Sequence, residues 1–122
     1  LYQEEPSAFE KALDLHERNV IPRIPSPVIQ ELEYGAAFLD EEETRRKVRN
    51  VSRMYPQVDL TVFDHKRAGR LHAQADRDAS GADAGIDSIA PMIAAVAHRY
   101  EEPVLTENVA DFEALGVSVA TW

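Results

Sequence analysis

Oxygen-bearing side chains at the ends of elements are the groups in this chain best placed to do chemistry. Glu31 lies in Ser26-Pro27-Val28-Ile29-Gln30-Glu31-Leu32, where Val28 and Leu32 are the apolar members of a helical pattern, so its carboxylate stands near the buried side. A carboxylate there is costly to desolvate unless a cation compensates it, and a hard divalent ion would do so. Complementing the positive end of a helix explains the same residue more simply. The second group is Thr106, Asn108 and Asp111, directly after the apolar run Pro103 to Leu105. Ligands in open α/β sheets gather beyond the carboxyl ends of parallel strands, and short oxygen side chains suit an ion such as Mg²⁺. An ordinary polar loop with Asp111 opening a helical turn is the plainer alternative. Asp87, beside Ser88, precedes another apolar helical run, where capping is the default role.

Other chemistries lack their residues. His16, His65, His72 and His98 are scattered without metal-ligand spacing, and the pair seven apart, His65 and His72, reads as a surface pair. The chain has no cysteine, which removes thiolate catalysis, disulfides and cysteine-based zinc sites. Its 5 glycines build neither a P-loop nor a GxGxxG turn.

The elements that must position these groups alternate. Phe9, Ala12, Leu13 and His16 mark a helix from about Pro6 to Arg18, and Val20 to Ile24 is short and extended. Ser26-Pro27 opens a helix through Val28, Ile29, Leu32 and Phe38, and Asp40 with Glu43 is read as an acidic capping box for a helix ending near Arg53. Val58, Leu60, Val62 and Phe63 are read as a strand, with Asp64 capping a helix that carries Ala68, Leu71 and Ala75. A polar loop over 78–85 leads to a helix through Ile89, Met92, Ile93, Val96 and Ala97. A strand from Pro103 to Thr106, a helical turn from Asp111 to Leu115 and a closing strand from Val117 to Trp122 follow. Strands alternating with helices predict a three-layer α/β/α domain, its central, mostly parallel sheet flanked by helices. A length of 122 residues predicts one domain, 1–122.

The balance of 13 Lys+Arg against 22 Asp+Glu gives a net charge of −9, which at face value speaks against a nucleic-acid partner. Lysine occurs only at Lys11, Lys47 and Lys66. An acid-rich, lysine-poor surface suits concentrated salt, where charge repulsion is screened, as well as it suits an ordinary acidic protein. No run reaches the 18 or so apolar residues that cross a bilayer, and the start, with Glu4 and Glu5, is unlike a signal peptide; a cytoplasmic location is the expectation.

Taken in order, these elements resemble one family. The pattern Ser26-x-x-x-x-Glu31-Leu32-x-x-Gly35-Ala36, then Ile93-Ala94-Ala95-x-Ala97, then Val104-Leu105-Thr106-x-Asn108-x-x-Asp111-Phe112 is similar to that of the PIN-domain ribonucleases, specifically the VapC-type toxins of toxin–antitoxin pairs. The resemblance covers nearly the whole chain and implies an Mg²⁺- or Mn²⁺-dependent endoribonuclease in which clustered acids hold the metal that activates water against an RNA phosphodiester. It also implies a cognate antitoxin protein and a homodimer. Carried over, Glu31 matches the family's second acidic position and Asn108 the fourth, with Asp111 a further oxygen donor and Thr106 the hydroxyl that orients this group.

Two departures accompany the resemblance. The family's first acid ends an N-terminal strand, in a hydrophobic-Asp-Thr/Ser-x-hydrophobic motif that the sequence from Leu1 onward does not supply, so that strand is expected to be absent from this chain. The third acid belongs three residues before Ile93, where Ala90 stands, either through natural decay of the site or through deliberate replacement of a catalytic Asp, the reading favoured by the intact pattern around it. Asp87, one turn earlier, reaches toward the same space in a poorer register. With both acids missing, the expectation is a nuclease fold with little or no activity. RNA would be held by arginine, whose fork binds phosphate bidentately, and Arg45, Arg46, Arg49 and Arg53 offer such a strip unless Glu41 to Glu43 pair with them. A non-catalytic PIN-like module that binds a protein partner or its own copy is the alternative, with Tyr2, Phe9, Leu13 and Leu15 as its docking surface.

Overall fold

The computed structural model describes residues 21–81 and 83–120. The expected first helix, with Tyr2, Phe9, Leu13 and Leu15, therefore lies outside the described residues. The chain divides into two compact units, Leu1–Asp59 and Leu60–Trp122.

In the first unit, strand β1 (Ile24–Pro25) leads into helix α1 (Ser26–Leu39), followed by helix α2 (Glu42–Met54) and strand β2 (Gln57–Val58). Pro27 is accommodated in the first turn of α1, where a backbone N–H would have no helical acceptor. The strands pair in parallel, Ile24 with Gln57 and Pro25 with Val58, so the two helices form the crossover that a parallel pair requires. Ile24, Leu32, Ala36, Val48, Val51 and Tyr55 make the core of this unit, with Val28 and Ile29 packed against it. The Asp40–Glu43 capping box does not form. Asp40 instead takes left-handed dihedrals, φ 53°, and ends α1 by donating its N–H to the Ala36 carbonyl at 3.0 Å. That conformation suits Asp among non-glycine residues. The extended N-cap position of α2 falls to Glu41, with no side-chain cap.

The second unit contains helices α3 (Val62–Asp78) and α4 (Ile89–Tyr100), strand β3 (Val104–Leu105), helix α5 (Val109–Ala114) and strand β4 (Val119–Ala120). Val62 and Phe63, expected in a strand, open α3 instead. Thr61 is the reason: its Oγ1 accepts the Asp64 N–H at 3.1 Å and its own N–H donates to Asp64 Oδ2 at 2.9 Å, a closed capping box. The expected strand is confined to Gln57 and Val58. Strands β3 and β4 pair in parallel, Val104 with Val119 and Leu105 with Ala120, and α5 is their crossover. The turn into β4 passes through Gly116 at φ 79°, a conformation in which a Cβ would be strained. Ala75, Ile86, Ala90, Ala94, Val104, Phe112 and Leu115 form this unit's core. Short parallel strand pairs joined by helices place the chain in the α/β class, as the alternating pattern predicts.

Candidate functional site

Thr106, Asn108 and Asp111 come together at the carboxyl end of β3. The Thr106 N–H extends the ladder by donating to the Ala120 carbonyl at 3.0 Å, which fixes the buried Thr106 against β4. Its hydroxyl accepts the Asn108 N–H at 3.0 Å, a local turn that lifts Asn108 out of the strand. The exposed Asn108 amide donates from Nδ2 to Asp111 Oδ2 at 2.9 Å, in the first turn of α5. The sequence order Thr-x-Asn-x-x-Asp thus closes into a hydrogen-bonded chain that presents a carboxylate and an amide side by side.

Asp87 acts as a cap. Its Oδ1 accepts the N–H groups of Ile89 and Ala90, both at 2.9 Å, satisfying donors that the first turn of α4 leaves over. Ala90 is 5 % exposed and belongs to the core of the second unit, among Ile86, Ala94 and Phe112. Glu31 is half-buried on α1 of the first unit, just past the first turn in which the helix dipole favours a carboxylate.

Among the described residues, no three His, Asp or Glu side chains gather so as to hold a metal ion. One Asp87 oxygen is committed to two backbone donors, Asp111 is committed to the Asn108 amide, and position 90 offers a methyl group. This donor set does not fit Mg²⁺, which recruits paired carboxylates and otherwise keeps its waters.

Sequence reasoning missed three features of the second unit. Asp64, 2 % exposed, receives the Arg99 guanidinium from α4, with Nη2 to Oδ2 at 2.9 Å and Nε to Oδ1 at 3.1 Å. Burial works to raise the pKa of Asp64, but the Thr61 backbone N–H and the Arg99 guanidinium outweigh it and hold the carboxyl below its ordinary range. The Thr61-x-x-Asp64 spacing could have revealed the box; nothing in the sequence signals a partner 35 residues away. Second, the half-buried His72 fastens a loop: its Nε2 lies 3.1 Å from the Ile86 carbonyl, while Asp76 Oδ1 accepts the Ala84 N–H at 2.9 Å. Together they pin the loop before α4 onto α3. Third, α3 carries a row of cations on its solvent face.

The arginines expected to form an RNA strip on α2 are partly consumed. Arg45 pairs with Asp40 at 2.7 Å and Glu42 at 3.2 Å, and Arg49 pairs with Glu42 at 3.0 Å. These contacts hold Glu42 below the ordinary carboxylate range.

No family model and no curated relative matches the chain. Among solved structures, it is similar to a chain of the VapBC2 complex from Rickettsia felis bound to a DNA fragment from their promoter, with a TM-score of 0.74 and 19% identity over 98% of this chain and 88% of that one. Likeness at that identity establishes a shared α/β fold.

Proposed function

We propose that this chain is a VapC-type PIN-domain protein, built as a metal-dependent endoribonuclease but with no metal site assembled among its described residues, and that it pairs with an antitoxin protein and with its own copy. The observation that carries this reading is the Thr106–Asn108–Asp111 chain at the carboxyl end of a parallel strand, the place where α/β folds collect ligands. The fold shared with a chain of a toxin–antitoxin complex supports it.

Within that reading, Thr106 positions Asn108 by accepting its N–H, and Asp111 orients the Asn108 amide. The pair presents polar oxygens to solvent, and a phosphodiester could be hydrogen-bonded there by the amide N–H₂. The described acids do not complete a metal site, so no hydrolytic step is assigned to them.

The core position of Ala90 favours a second reading, a PIN-like module whose work is protein binding. The stacked, exposed pair Tyr34 and Phe38 on α1, with ring centroids 5.9 Å apart, suits such a role. A cleavage assay on structured and single-stranded RNA with Mn²⁺ or Mg²⁺ tests both. The 122-residue chain is expected to show no turnover above a Glu31→Ala, Asp111→Ala double variant; turnover abolished by EDTA would contradict an incomplete site. Ala90→Asp is expected to take up Mn²⁺ that the parent does not hold. If Ala90→Asp folds and takes up no Mn²⁺, the nuclease reading fails and the module stands.

A further inference from the structure

The solvent face of α3 carries a row of cations. At 3.6 residues per turn, Phe63, Lys66, Arg67, Arg70, Gln74 and Arg77 fall within about 100° of arc, while Asp64, Ala68, Leu71 and Ala75 form the core face about 120° round the helix. Side-chain exposure agrees, with Asp64, Ala68 and Ala75 buried and Lys66 and Arg70 exposed.

Three properties of this face point the same way. Its cations are not neutralised: among the described residues Lys66, Arg67 and Arg70 have no ion pair, whereas Arg45 and Arg49 on α2 are held by carboxylates. The one acid in the first half of α3, Asp64, is buried and bound to Arg99, so it does not offset them; Asp76 and Asp78 come only at the helix end. Finally, an aromatic ring stands among the cations. Phe63 is 78 % exposed, and the Lys66 ammonium lies 5.8 Å from its centroid. An exposed phenyl ring has no role in the core of this unit, and among the described residues no carboxylate offsets Lys66, Arg67 or Arg70.

We infer that the solvent face of α3 from Phe63 to Arg70 is a docking surface for single-stranded RNA, with Phe63 stacking on an unpaired base and Lys66, Arg67 and Arg70 contacting the phosphates. The positive row selects a polyanion, and the exposed ring beside it selects a polyanion with accessible aromatic faces, which a single strand presents and a duplex or an acidic peptide does not. The basic face runs roughly 10 Å along the helix from Phe63 to Arg70, continued by Gln74 and Arg77, enough for a few nucleotides. This inference rests on RNA being the partner proposed above and adds where and in what form RNA is held.

The test is fluorescence anisotropy of the full 122-residue chain with a labelled ten-nucleotide RNA of mixed, unstructured sequence, in EDTA, as a function of KCl. Binding is expected with a slope of log affinity against log salt of about −2, from three phosphate contacts on a single strand. Phe63→Ala is expected to weaken binding about tenfold, the order of one lost stacking contact. Lys66→Ala, Arg67→Ala, Arg70→Ala in combination should bring the slope to near zero, and Arg53→Ala, an exposed cation of the first unit, should change affinity less than twofold. The inference is overturned if the parent chain does not bind, if the Phe63 and triple variants bind like the parent, if Arg53→Ala weakens binding as much as they do, or if duplex RNA or poly-glutamate competes equally. Because EDTA removes any metal chemistry, RNA binding that persists while Ala90→Asp takes up no Mn²⁺ in a separate titration sinks the nuclease reading alone. Mn²⁺ uptake by Ala90→Asp alongside RNA binding indifferent to Phe63 and Arg70 sinks this inference alone.

Discussion

Ala90 is the residue on which the chemistry turns. The sequence pattern places it where the resembled family carries an acid, and the structure buries it in the core that also holds Ile86, Ala94 and Phe112. A carboxylate at that position would be desolvated without a partner, so Ala90→Asp is expected to destabilise the chain by about 3 kcal/mol in EDTA, measured by urea unfolding. If the position is a vacated ligand site, Mn²⁺ should return much of that loss in the variant and change the parent little, because a ligand that binds only the folded state raises its stability by mass action. A loss that Mn²⁺ leaves untouched would mark Ala90 as a core residue and nothing more. The same scale shows where the sequence was legible. Thr106, Asn108 and Asp111 are close in the chain and close in space, so their spacing announces their contacts. Asp64 and Arg99 meet only because two helices pack, and no local pattern reports such a meeting.

At the scale of elements, helices α1, α2 and α4 could be read from apolar periodicity, since each buries one face in the core of its own unit. The start of α3 could not, because Val62 and Phe63 are a β-branched and an aromatic residue and carry strand propensity. The Thr61–Asp64 box overrides that preference by satisfying two backbone donors at once, and the two apolar residues are left in solvent. Thr61→Ala should therefore cost about 1 kcal/mol, whereas Thr61→Ser should be nearly neutral, as read by thermal or urea unfolding. A Thr61→Ala protein as stable as the parent would show that propensity within α3 and packing on α4 suffice without the cap. Once the start of α3 is set at Val62, the row of cations three and four residues apart follows from the sequence; it was hidden by the misplaced boundary.

At the scale of the whole molecule, the net charge is −9, and Lys66, Arg67 and Arg70 of α3 have no ion pair among the described residues. Among the described residues, no helix is long and apolar enough to cross a membrane. Stability should depend on pH through Asp64. Its folded pKa is depressed, so its contribution is complete above the unfolded value near 4 and is lost as pH falls through the lower folded value. Unfolding free energies at pH 7 and pH 2.5 should differ less in Asp64→Asn than in the parent, and the variant should lose about 2 kcal/mol at pH 7. An unchanged acid dependence in Asp64→Asn would assign acid sensitivity to other carboxylates.

The bond between His72 and the Ile86 carbonyl also settles a question of tautomer. A carbonyl oxygen can only accept, so the ring nitrogen facing it, Nε2, must carry the proton, and in the neutral imidazole the lone pair is left on Nδ1. A transition-metal ion offered to this histidine could bind only through Nδ1 while the loop stays fastened. Capture through Nε2 would require the loop to let go of α3, and the ¹⁵N shifts of this one ring distinguish the two states.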